Sequence, residues 1–372
     1  MKEIHESQMI YRGDGTASAL DSILQECKAK KVLLVCGKSF FSLPIAQAIK
    51  SSSVSFTIFQ DFSPNPKYED IVLGVEAYKR YGCDTILAVG GGSALDVAKC
   101  IKLFVPMQKE LPYHAQPLAD SKIMLIAIPT TAGTGSESTQ FAVIYVNGEK
   151  ASLSHPSILP DYALLDPSVL QTLPIYQKKC SMLDALCQAL ESWWSVESSP
   201  RSIAYSKRAI KRWLASKEGY LANTEEGNQG MLEASNLAGR AINLTKTTAP
   251  HAMSYKMTSL FGFPHGHAVA LAFPYVWRYM LHHPQSCIDK RGADYVLNVF
   301  VEMAKSIGQS TAEQAIEWFI SLLAELEISS PEQVSEAEFE ILRNSVNIER
   351  LKNNPMQLDS EALMALYKEI LK

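Results

Sequence analysis

The first half of the chain alternates short apolar runs with amphipathic stretches, and this alternation restricts the possible folds more than any other feature. Apolar, β-prone runs occupy residues 31–36, 55–59, 85–89 and 124–128. Strands that are apolar on both faces suit a parallel sheet that is covered by helices on both sides. Residues 67–81, between two of the runs, have apolar side chains three to four positions apart, which predicts a helix. This half is therefore predicted to form an open α/β sheet.

From about Asp166 the strand signal ends and helical periodicity replaces it. Segments with apolar residues at helical spacing cover residues 180–194, 201–216, 230–244, 295–306 and 313–326. Ser310-x-x-Glu313 and Ser335-x-x-Glu338 match the capping-box pattern ahead of two of the helices. A chain of 372 residues is too long for one hydrophobic core. We therefore predict an α/β domain over residues 1–165 and an all-helical domain over residues 166–372.

Composition argues against several classes of protein. The 39 acidic and 35 basic residues give a net charge of −4, without the basic excess of a nucleic-acid-binding protein. No apolar run reaches the ~18–20 residues of a membrane span, and the first residues do not resemble a secretory signal. The 7 cysteines are scattered without a CxxC pair, which favours reduced thiols. We expect a cytoplasmic protein that acts on a small molecule, with neither nucleic acid nor membrane as a partner.

Two loops that directly follow predicted strands have the composition of ligand-binding loops. Residues 90–93, GGGS, join a strand to a helix, where glycines allow backbone N–H groups to approach a phosphate. Residues 129–137, PTTAGTGSE, supply hydroxyl and amide donors with little bulk. Parallel sheets bind ligands at the carboxyl ends of their strands. Each loop alone is equally compatible with a tight turn, and GGGS is neither a GxGxxG fingerprint nor a P-loop.

The helical half contains four side chains that together could ligate a metal. Asp184 and Gln188 are spaced i, i+4 and therefore share one face of a helix. His251 follows Pro250, a residue preferred in the first turn of a helix, and His265 begins a further predicted helix. One carboxylate, one amide and two histidines form a plausible ligand set for a divalent metal of the iron or zinc type. Each residue alone could instead be a buried, hydrogen-bonded side chain.

Several motifs resemble, in their order along the chain, those of the iron-containing (group III) alcohol dehydrogenase family. They are the Pro64-Asn65-Pro66 loop, GGGSALDVAK, PTTAGTGSE, DALxxAxE, and HxxxY followed by PHG. The resemblance extends from the first strand to residues 353–355. It implies a Rossmann-like dinucleotide-binding domain, a helical domain with one divalent metal, Fe(II) or Zn(II), and NAD(P)-linked interconversion of alcohols and aldehydes. It also implies a homodimer or a larger homo-oligomer.

The resemblance assigns roles residue by residue. Cofactor contacts are implied for Gly37, Ser39, Asn65, Gly91, Gly92, Ser93, Asp96, Thr130, Thr131, Thr134 and Lys150. Asp184, His251 and His265 match three metal ligands, whereas Gln188 stands where the family usually has a histidine. A glutamine oxygen is a harder and weaker ligand than imidazole, so the identity of the metal stays open.

A second departure from the family concerns the proton. Many members have another histidine four residues after the first, and this chain has Tyr255 there. We expect Tyr255 or His267 to take over the proton transfer that is often assigned to that histidine.

Both departures resemble one branch of the family, the phosphonoacetaldehyde reductases or 2-hydroxyethylphosphonate dehydrogenases. An anionic substrate would suit a helix that begins at Pro250, with the hydroxyls of Thr247 and Thr248 at its positive end. Lys246 and Lys256 are the candidate substrate-binding cations in this stretch, and the alternative is that both are ordinary surface lysines.

The predicted cofactor preference depends on the turn after the first strand. Family members that prefer NAD commonly have an aspartate near position 37, where this chain has Gly37-Lys38-Ser39. Without a carboxylate to repel a 2′-phosphate, we predict that NADPH is used at least as well as NADH.

Open alternatives for the function are reduction of sulfoacetaldehyde, lactaldehyde or an alkyl aldehyde, a dehydroquinate synthase-like lyase, and an inactive cofactor-binding relative.

Overall fold

The computed structural model describes residues 2–5, 8–13 and 16–372, which form two compact units. The first unit contains the chain up to Pro174 together with Glu218–Asn236. The second contains Ile175–Lys217 and Leu237–Lys372. A parallel-sheet unit followed by a helical unit confirms the predicted fold class.

The main sheet of the first unit has seven strands among the described residues, in the order β1-β2-β9-β6-β5-β3-β4. Its strands are β1 (Lys2–His5), β2 (Gln8–Arg12), β3 (Lys31–Cys36), β4 (Ser55–Phe59), β5 (Thr85–Gly90), β6 (Met124–Pro129) and β9 (Tyr162–Leu165). All neighbouring strands pair in parallel except β1 with β2. The four strands predicted from apolar runs are therefore present, and two of them are one residue longer than predicted.

Four helices accompany this sheet: α1 (Thr16–Glu26), α2 (Ile45–Ser51), α3 (Tyr68–Tyr81) and α4 (Gly92–Phe104). Helix α3 corresponds to the predicted helix over residues 67–81 and begins one residue later. The central strands β3, β5 and β6 are almost fully buried, and α4 packs against all three. Burial on both faces explains why these strands are apolar at successive positions.

Sequence analysis missed a hairpin that lies outside the main sheet. Strands β7 (Phe141–Val146) and β8 (Glu149–Ser154) pair antiparallel around Asn147 and Gly148. Both turn residues have positive φ, 52° and 81°, as a type I′ turn requires. The Asn-Gly dipeptide between two short β-prone runs was the available signal for this hairpin.

The register of the central strands brings three loops to one edge of the sheet. Cys36 pairs with Val89, and Gly90 pairs with Pro129. The segments that begin at Gly37, Gly91 and Thr130 therefore leave the sheet side by side. This edge is where a ligand binds in open parallel sheets.

The segment Glu218–Asn236 belongs to the first unit through polar contacts. Asn236 donates from Nδ2 to Ser138 Oγ at 2.5 Å and to Glu137 Oε1 at 3.1 Å, and all three side chains are buried. Asn223 donates to the carbonyl oxygen of Gln171 at 3.0 Å. These asparagines connect helical residues to loops of the sheet unit.

The helices from residue 175 onward include those of the second unit. They are α5 (Ile175–Trp194), α6 (Pro200–Leu221), α7 (Glu225–Thr245), α8 (Ala249–Phe261), α9 (His265–His282), α10 (Ala293–Ser306), α11 (Ala312–Glu325), α12 (Glu336–Ser345), α13 (Ile348–Leu351) and α14 (Ser360–Ile370). Helix α9 packs against α5, α8, α11 and α14. Within the described residues, no helix is both long enough and apolar enough to cross a bilayer.

An aromatic cluster fixes the packing of α5 against α9. Trp194 stacks on Phe273 with ring centroids 4.9 Å apart, and Phe273 in turn stacks on Phe319 of α11. All three rings are buried. The indole N–H of Trp194 donates to Thr248 Oγ1 at 2.8 Å, so the cluster also holds the residue that precedes α8.

One of the two predicted helix caps is confirmed and the other is wrong by one residue. Ser335 and Glu338 form the predicted capping box at the start of α12. At α11 the N-cap is Thr311, which accepts from the backbone N–H of Gln314, rather than Ser310. Serine and threonine are both good N-cap residues, so the Ser310-Thr311 pair offered two alignments of the same pattern.

Candidate metal centre and cofactor loops

Asp184 of α5, His251 of α8 and His265 of α9 form a cluster in the second unit. One ligand atom from each residue lies within 4.8 Å of the other two, a spacing that could hold a metal ion. Asp184 Oδ1 and His251 Nε2 are 3.2 Å apart, and both side chains are buried. The structure thus brings together three of the four candidate ligands.

Gln188 lies one turn after Asp184 on α5 and is also buried. Its side chain hydrogen-bonds to Asp184, which helps to lower the pKa of that carboxyl. The amide oxygen of Gln188 has no hydrogen-bond partner among the described residues. An unsatisfied buried oxygen costs about 1–3 kcal/mol, and a cation is one way to satisfy it. The carboxylate, amide and imidazole donors therefore fit a divalent metal of the iron or zinc type.

Gly266 allows the start of α9 to approach α5 closely. A Cβ atom at this position would lie 2.0 Å from the carbonyl oxygen of Cys180 and 2.9 Å from Cβ of Asp184. Only glycine avoids these clashes, so the Pro264-His265-Gly266 sequence places His265 directly beside Asp184.

Glu191 is the last residue of the DALxxAxE motif, and sequence analysis assigned it no role of its own. Its carboxylate is fully buried and lies 2.5 Å from His251 Nδ1. The other carboxylate oxygen accepts from the backbone N–H and the hydroxyl of Thr248, at 2.7 and 2.8 Å. Glu191 thereby fixes the ring of His251 with Nε2 towards Asp184, the arrangement common for metal-ligating histidines. The i, i+7 spacing from Asp184 was the available signal, because it places both carboxylates on one helix face.

The same contacts change the expectation for the start of α8. We expected this end to face an anionic ligand, whereas the N–H of Thr248 donates to Glu191 instead. A carboxylate of the protein therefore lies where the phosphonate was expected. Lys246 is exposed and has a left-handed backbone with φ of 60°. Its role in binding substrate stays a prediction.

Electrostatics within the cluster favour positive charge at His251. Burial acts to raise the pKa of Asp184, but the hydrogen bond from His251 and the two imidazoles outweigh it, so the pKa is lowered. Burial acts to lower the pKa of His251, but Glu191 and Asp184 outweigh it and raise the pKa to about 9. The two carboxylates thus favour a cation at this point of the second unit.

The structure surrounds the two candidate proton-transfer residues differently. The ring of Tyr255 stacks on His265 with centroids 5.7 Å apart and an interplanar angle of 10°. His267 is hydrogen-bonded at both ring nitrogens, to Tyr176 Oη at 2.8 Å and to the carbonyl oxygen of Ser329 at 2.9 Å. Tyr255 therefore contacts the candidate metal cluster directly.

Arg350 accompanies Tyr255 and was not identified from the sequence. Its Nη1 donates to Tyr255 Oη at 2.6 Å. Burial raises the pKa of Tyr255, and the charge of Arg350 partly offsets this rise.

Lys256 follows Tyr255 in α8, so its side chain leaves the helix about 100° around the axis from that of Tyr255. Its role in substrate binding stays a prediction.

In the first unit, the two predicted cofactor loops lie against each other. A Cβ atom at Gly91 would lie 3.4 Å from Cγ2 of Thr131, and one at Gly92 would lie 2.9 Å from Cγ2 of Thr134. Thr130 donates its N–H to the carbonyl oxygen of Gly90 at 2.9 Å. Glycines therefore keep the GGGS turn close to the PTTAGTGSE segment, residues 129–137, which we call the threonine loop. Ser93, in the first turn of α4, is partly exposed at this edge.

Asp96 and Lys99 of α4 hold the threonine loop in place. The Oδ1 atom of Asp96 accepts from Ser136 Oγ at 2.7 Å, and its Oδ2 accepts from Val143 N at 3.0 Å. The buried Nζ of Lys99 donates to Ser136, Thr139 and the carbonyl oxygen of Phe141. Burial raises the pKa of Asp96 and lowers that of Lys99 to about 8. The contact expected between Asp96 and the cofactor stays a prediction.

The remaining predicted cofactor residues lie in loops and at a hairpin. Gly37 follows β3 with a φ of −83°, and Ser39 is exposed in the next turn. Asn65 is exposed and has a positive φ of 59°. Its neighbour Pro66 accepts a hydrogen bond from the N–H of Tyr145, the strand partner of Lys150. The loop of Asn65 and the hairpin of Lys150 are thus connected through Tyr145.

Comparison with known proteins gives matches over nearly the whole chain. Residues 7–167 match the family described as iron-containing alcohol dehydrogenase. Residues 179–371 match the C-terminal part of the Fe-containing alcohol dehydrogenase family.

Individual relatives agree with these matches. Aldehyde-alcohol dehydrogenase 2 of Entamoeba histolytica is 30% identical over 325 residues, which are 80% of this chain but only 37% of that protein. The chain therefore spans little more than a third of that longer relative. Phosphonoacetaldehyde reductase of Streptomyces viridochromogenes is 28% identical over 92% of this chain and 90% of its own. The crystal structure of sulfoacetaldehyde reductase from Bifidobacterium kashiwanohense in complex with NAD+ matches with a TM-score of 0.88 and 25% identity, covering 100% of this chain and 99% of that one.

The metal cluster predicts a graded series of metal affinities. His251→Ala should abolish tight binding of Fe(II) or Zn(II), and Gln188→Ala should weaken it because we expect the amide oxygen to be one of four ligands. Gln188→His should strengthen it, since imidazole is the better ligand for these metals. Metal content after dialysis and competition with a chelator measure the series. His283→Ala, a histidine outside the cluster, is the control, and a Gln188→Ala protein with unchanged affinity would exclude Gln188 as a ligand.

Glu191→Gln tests the role of the carboxylate behind His251. The amide preserves the size of the side chain but removes the charge that orients the imidazole. Metal affinity should fall about 10–100-fold, as is typical when such a supporting group is lost. Chelator competition measures the affinity, and circular dichroism verifies the fold. Glu317→Gln, at a surface ion pair of the same unit, should leave the affinity unchanged. Equal affinity of Glu191→Gln and wild type would contradict this role.

Proposed function

Because the chain belongs to the iron-containing alcohol dehydrogenase family, we propose that it is a metal-dependent, NAD(P)H-linked alcohol dehydrogenase that reduces a small aldehyde. The observation that carries this proposal is the buried cluster of Asp184, His251 and His265, with the unpaired amide oxygen of Gln188 beside it. The paired loops at the carboxyl edge of the sheet support the cofactor part of the proposal.

The metal, the nicotinamide and the residues of the chain would each have a different task in the reaction. When bound, a divalent metal supplies Lewis-acid polarisation of the aldehyde oxygen, and the reduced nicotinamide supplies the hydride. Asp184, Gln188, His251 and His265 would hold the metal, with Glu191 keeping a proton on His251 Nδ1 so that Nε2 can ligate. The GGGS turn and the threonine loop would bind the dinucleotide.

Tyr255 is the residue that we propose for handling the proton. Its hydroxyl oxygen accepts from Arg350, and the hydroxyl also hydrogen-bonds to the side chain of Thr247. The ring contacts His265, so the hydroxyl belongs to the surroundings of the candidate metal cluster. His267 has less support for this role, because both of its ring nitrogens are engaged by other parts of the second unit.

For the substrate we propose phosphonoacetaldehyde, reduced to 2-hydroxyethylphosphonate. The names of two relatives support an aldehyde with an anionic substituent, since one is a phosphonoacetaldehyde reductase and the other a sulfoacetaldehyde reductase. Reduction adds one hydride to the carbonyl carbon and one proton to its oxygen. We expect the enzyme to work as a homodimer or larger homo-oligomer.

A substrate panel at saturating NADPH and NADH tests this proposal. We expect kcat/KM to be highest for phosphonoacetaldehyde and lower for sulfoacetaldehyde, lactaldehyde and unbranched alkyl aldehydes. Initial rates of nicotinamide oxidation give the ranking, and chromatography of the product identifies the alcohol. A preference for a neutral aldehyde would contradict the proposed substrate. Absence of turnover with every aldehyde by the metal-loaded protein would favour a lyase or an inactive relative.

The turn at Gly37 carries the proposal on cofactor choice. A Cβ atom at Gly37 would meet no atom within 4 Å, so a side chain can begin there without a clash. Wild type should use NADPH at least as well as NADH, and Gly37→Asp should shift the ratio of kcat/KM towards NADH by repelling the 2′-phosphate. Gly37→Asn, which has the same shape without the charge, is the matched control. A strong preference of wild type for NADH would overturn this assignment.

A further inference from the structure

Arg350 is a charged residue beside the candidate metal cluster to which the comparisons assign no role. It lies in α13, is partly buried, and has its guanidinium carbon 4.8 Å from the centre of the Tyr255 ring. Its Nη1 donates to the hydroxyl oxygen of that tyrosine at 2.6 Å. The guanidinium is therefore held in a defined position by a ring and a hydroxyl.

The charge of Arg350 is not balanced locally. In the described parts of the chain, no carboxylate lies within ion-pair distance of its guanidinium. Three other arginines of the second unit do have such partners. Arg278 pairs with Glu317, Arg291 with Asp289, and Arg343 with Glu340.

Tyr255 connects this cation with the metal cluster. Its ring stacks on His265, and its hydroxyl oxygen accepts a hydrogen bond from Arg350. A guanidinium is a planar fork of N–H donors that matches phosphonate, sulfonate and carboxylate oxygens in pairs. Since Nη1 is bonded to Tyr255, Nη2 and Nε are the donors left for such a ligand. Only the side chain of Tyr255 lies between the candidate metal cluster and Arg350. A ligand that contacts both must therefore be short, and an aldehyde with its anionic group on the next carbon meets this requirement.

We propose that Arg350 binds the anionic substituent of the substrate, a tetrahedral oxyanion such as a phosphonate, while Tyr255 holds the guanidinium in place. This inference rests on the proposed function, in which the aldehyde end of the same molecule is reduced at the metal cluster. It makes Arg350 a residue that determines specificity.

Lys246 is the alternative cation from the sequence, and its surroundings favour it less. Its side chain is exposed, and the N–H of Thr248, two residues later and directly before α8, donates to the carboxylate of Glu191. A phosphonate at that end of α8 would meet a like charge. Arg350 has a ring and a hydroxyl against it, and no carboxylate of the described residues lies within ion-pair distance of it.

The test compares a charged and a neutral aldehyde of the same shape in the metal-loaded enzyme. Phosphonoacetaldehyde and 3,3-dimethylbutanal differ mainly in the charge of the tetrahedral group. Arg350→Gln retains an N–H donor for Tyr255 but removes the charge, Arg350→Lys retains the charge, and Lys246→Gln tests the alternative. Arg278→Gln is the matched control, because that arginine already has a carboxylate partner.

We expect Arg350→Gln to raise KM for phosphonoacetaldehyde about 10–100-fold, as for a lost charged hydrogen bond, and to leave KM for 3,3-dimethylbutanal within about twofold. Arg350→Lys should recover part of the loss. Isothermal titration with 2-hydroxyethylphosphonate should show the same fall in affinity without turnover.

Three results would overturn the inference. Equal losses for both aldehydes would mean that Arg350 only supports Tyr255. An unchanged Arg350→Gln enzyme together with a selective loss in Lys246→Gln would assign the anion to Lys246, and the proposed function would stand. If wild type itself does not prefer the charged aldehyde, the proposed substrate fails, and the assignment of Arg350 fails with it.

Discussion

The buried carboxylate of Glu191 determines the geometry of the helical unit around the metal cluster. A charge removed from water is tolerated only when hydrogen bonds compensate it, and Glu191 receives them from the N–H and hydroxyl of Thr248 and from His251. Because the three bonds come from the start of α8, the carboxylate fixes both the position of that helix on α5 and the orientation of the histidine. Trp194 adds a bond to the same threonine, which links this arrangement to the aromatic core. Removing one partner would leave an uncompensated charge, so the site and the helix packing are coupled.

The sheet unit solves a similar problem with a buried cation. Lys99 has its ammonium group surrounded by hydroxyl and carbonyl oxygens of the segment 136–141. Burial lowers its pKa to about 8, and nearby Asp96 and Glu137 limit the fall. Asp96 receives further bonds from Ser136 and Val143, so one turn of α4 holds the loop that follows β6. In both units a fully hydrogen-bonded buried charge positions the backbone that would contact a ligand.

Local patterns in the sequence predicted most elements but not the contacts between distant elements. The strands 31–36 and 55–59 were both predicted with correct bounds. Strand 31–36 is buried on both faces, which leaves a continuous apolar run, whereas 55–59 is a partly exposed edge strand whose β-prone residues gave the signal. The hairpin at Asn147 was missed although β7 is an apolar run, because its partner β8 is mostly polar and partly exposed and gives no strand signal of its own. Three candidate ligands were found from their motifs, whereas the roles of Glu191 and Arg350 were not, since those roles depend on partners 57 to 60 and 95 positions away. The spacing of apolar residues indicates which face of a helix is buried. It does not indicate which charged residues of other helices lie against that face.

The partnership of Tyr255 with Arg350 gives a physical reason for the departure from the histidine common in the family. A neutral phenol accepts a hydrogen bond from a guanidinium and presents a ring that attracts the cation. An imidazole at the same point could accept that bond only in its neutral form, and protonation would add a second positive charge beside Arg350. Since Asp184 and Glu191 already favour a cation in the cluster that the ring contacts, a residue that stays neutral adds no further positive charge between that cluster and Arg350. Tyrosine at position 255 is therefore compatible with an arginine that has no carboxylate partner, and histidine would be much less so.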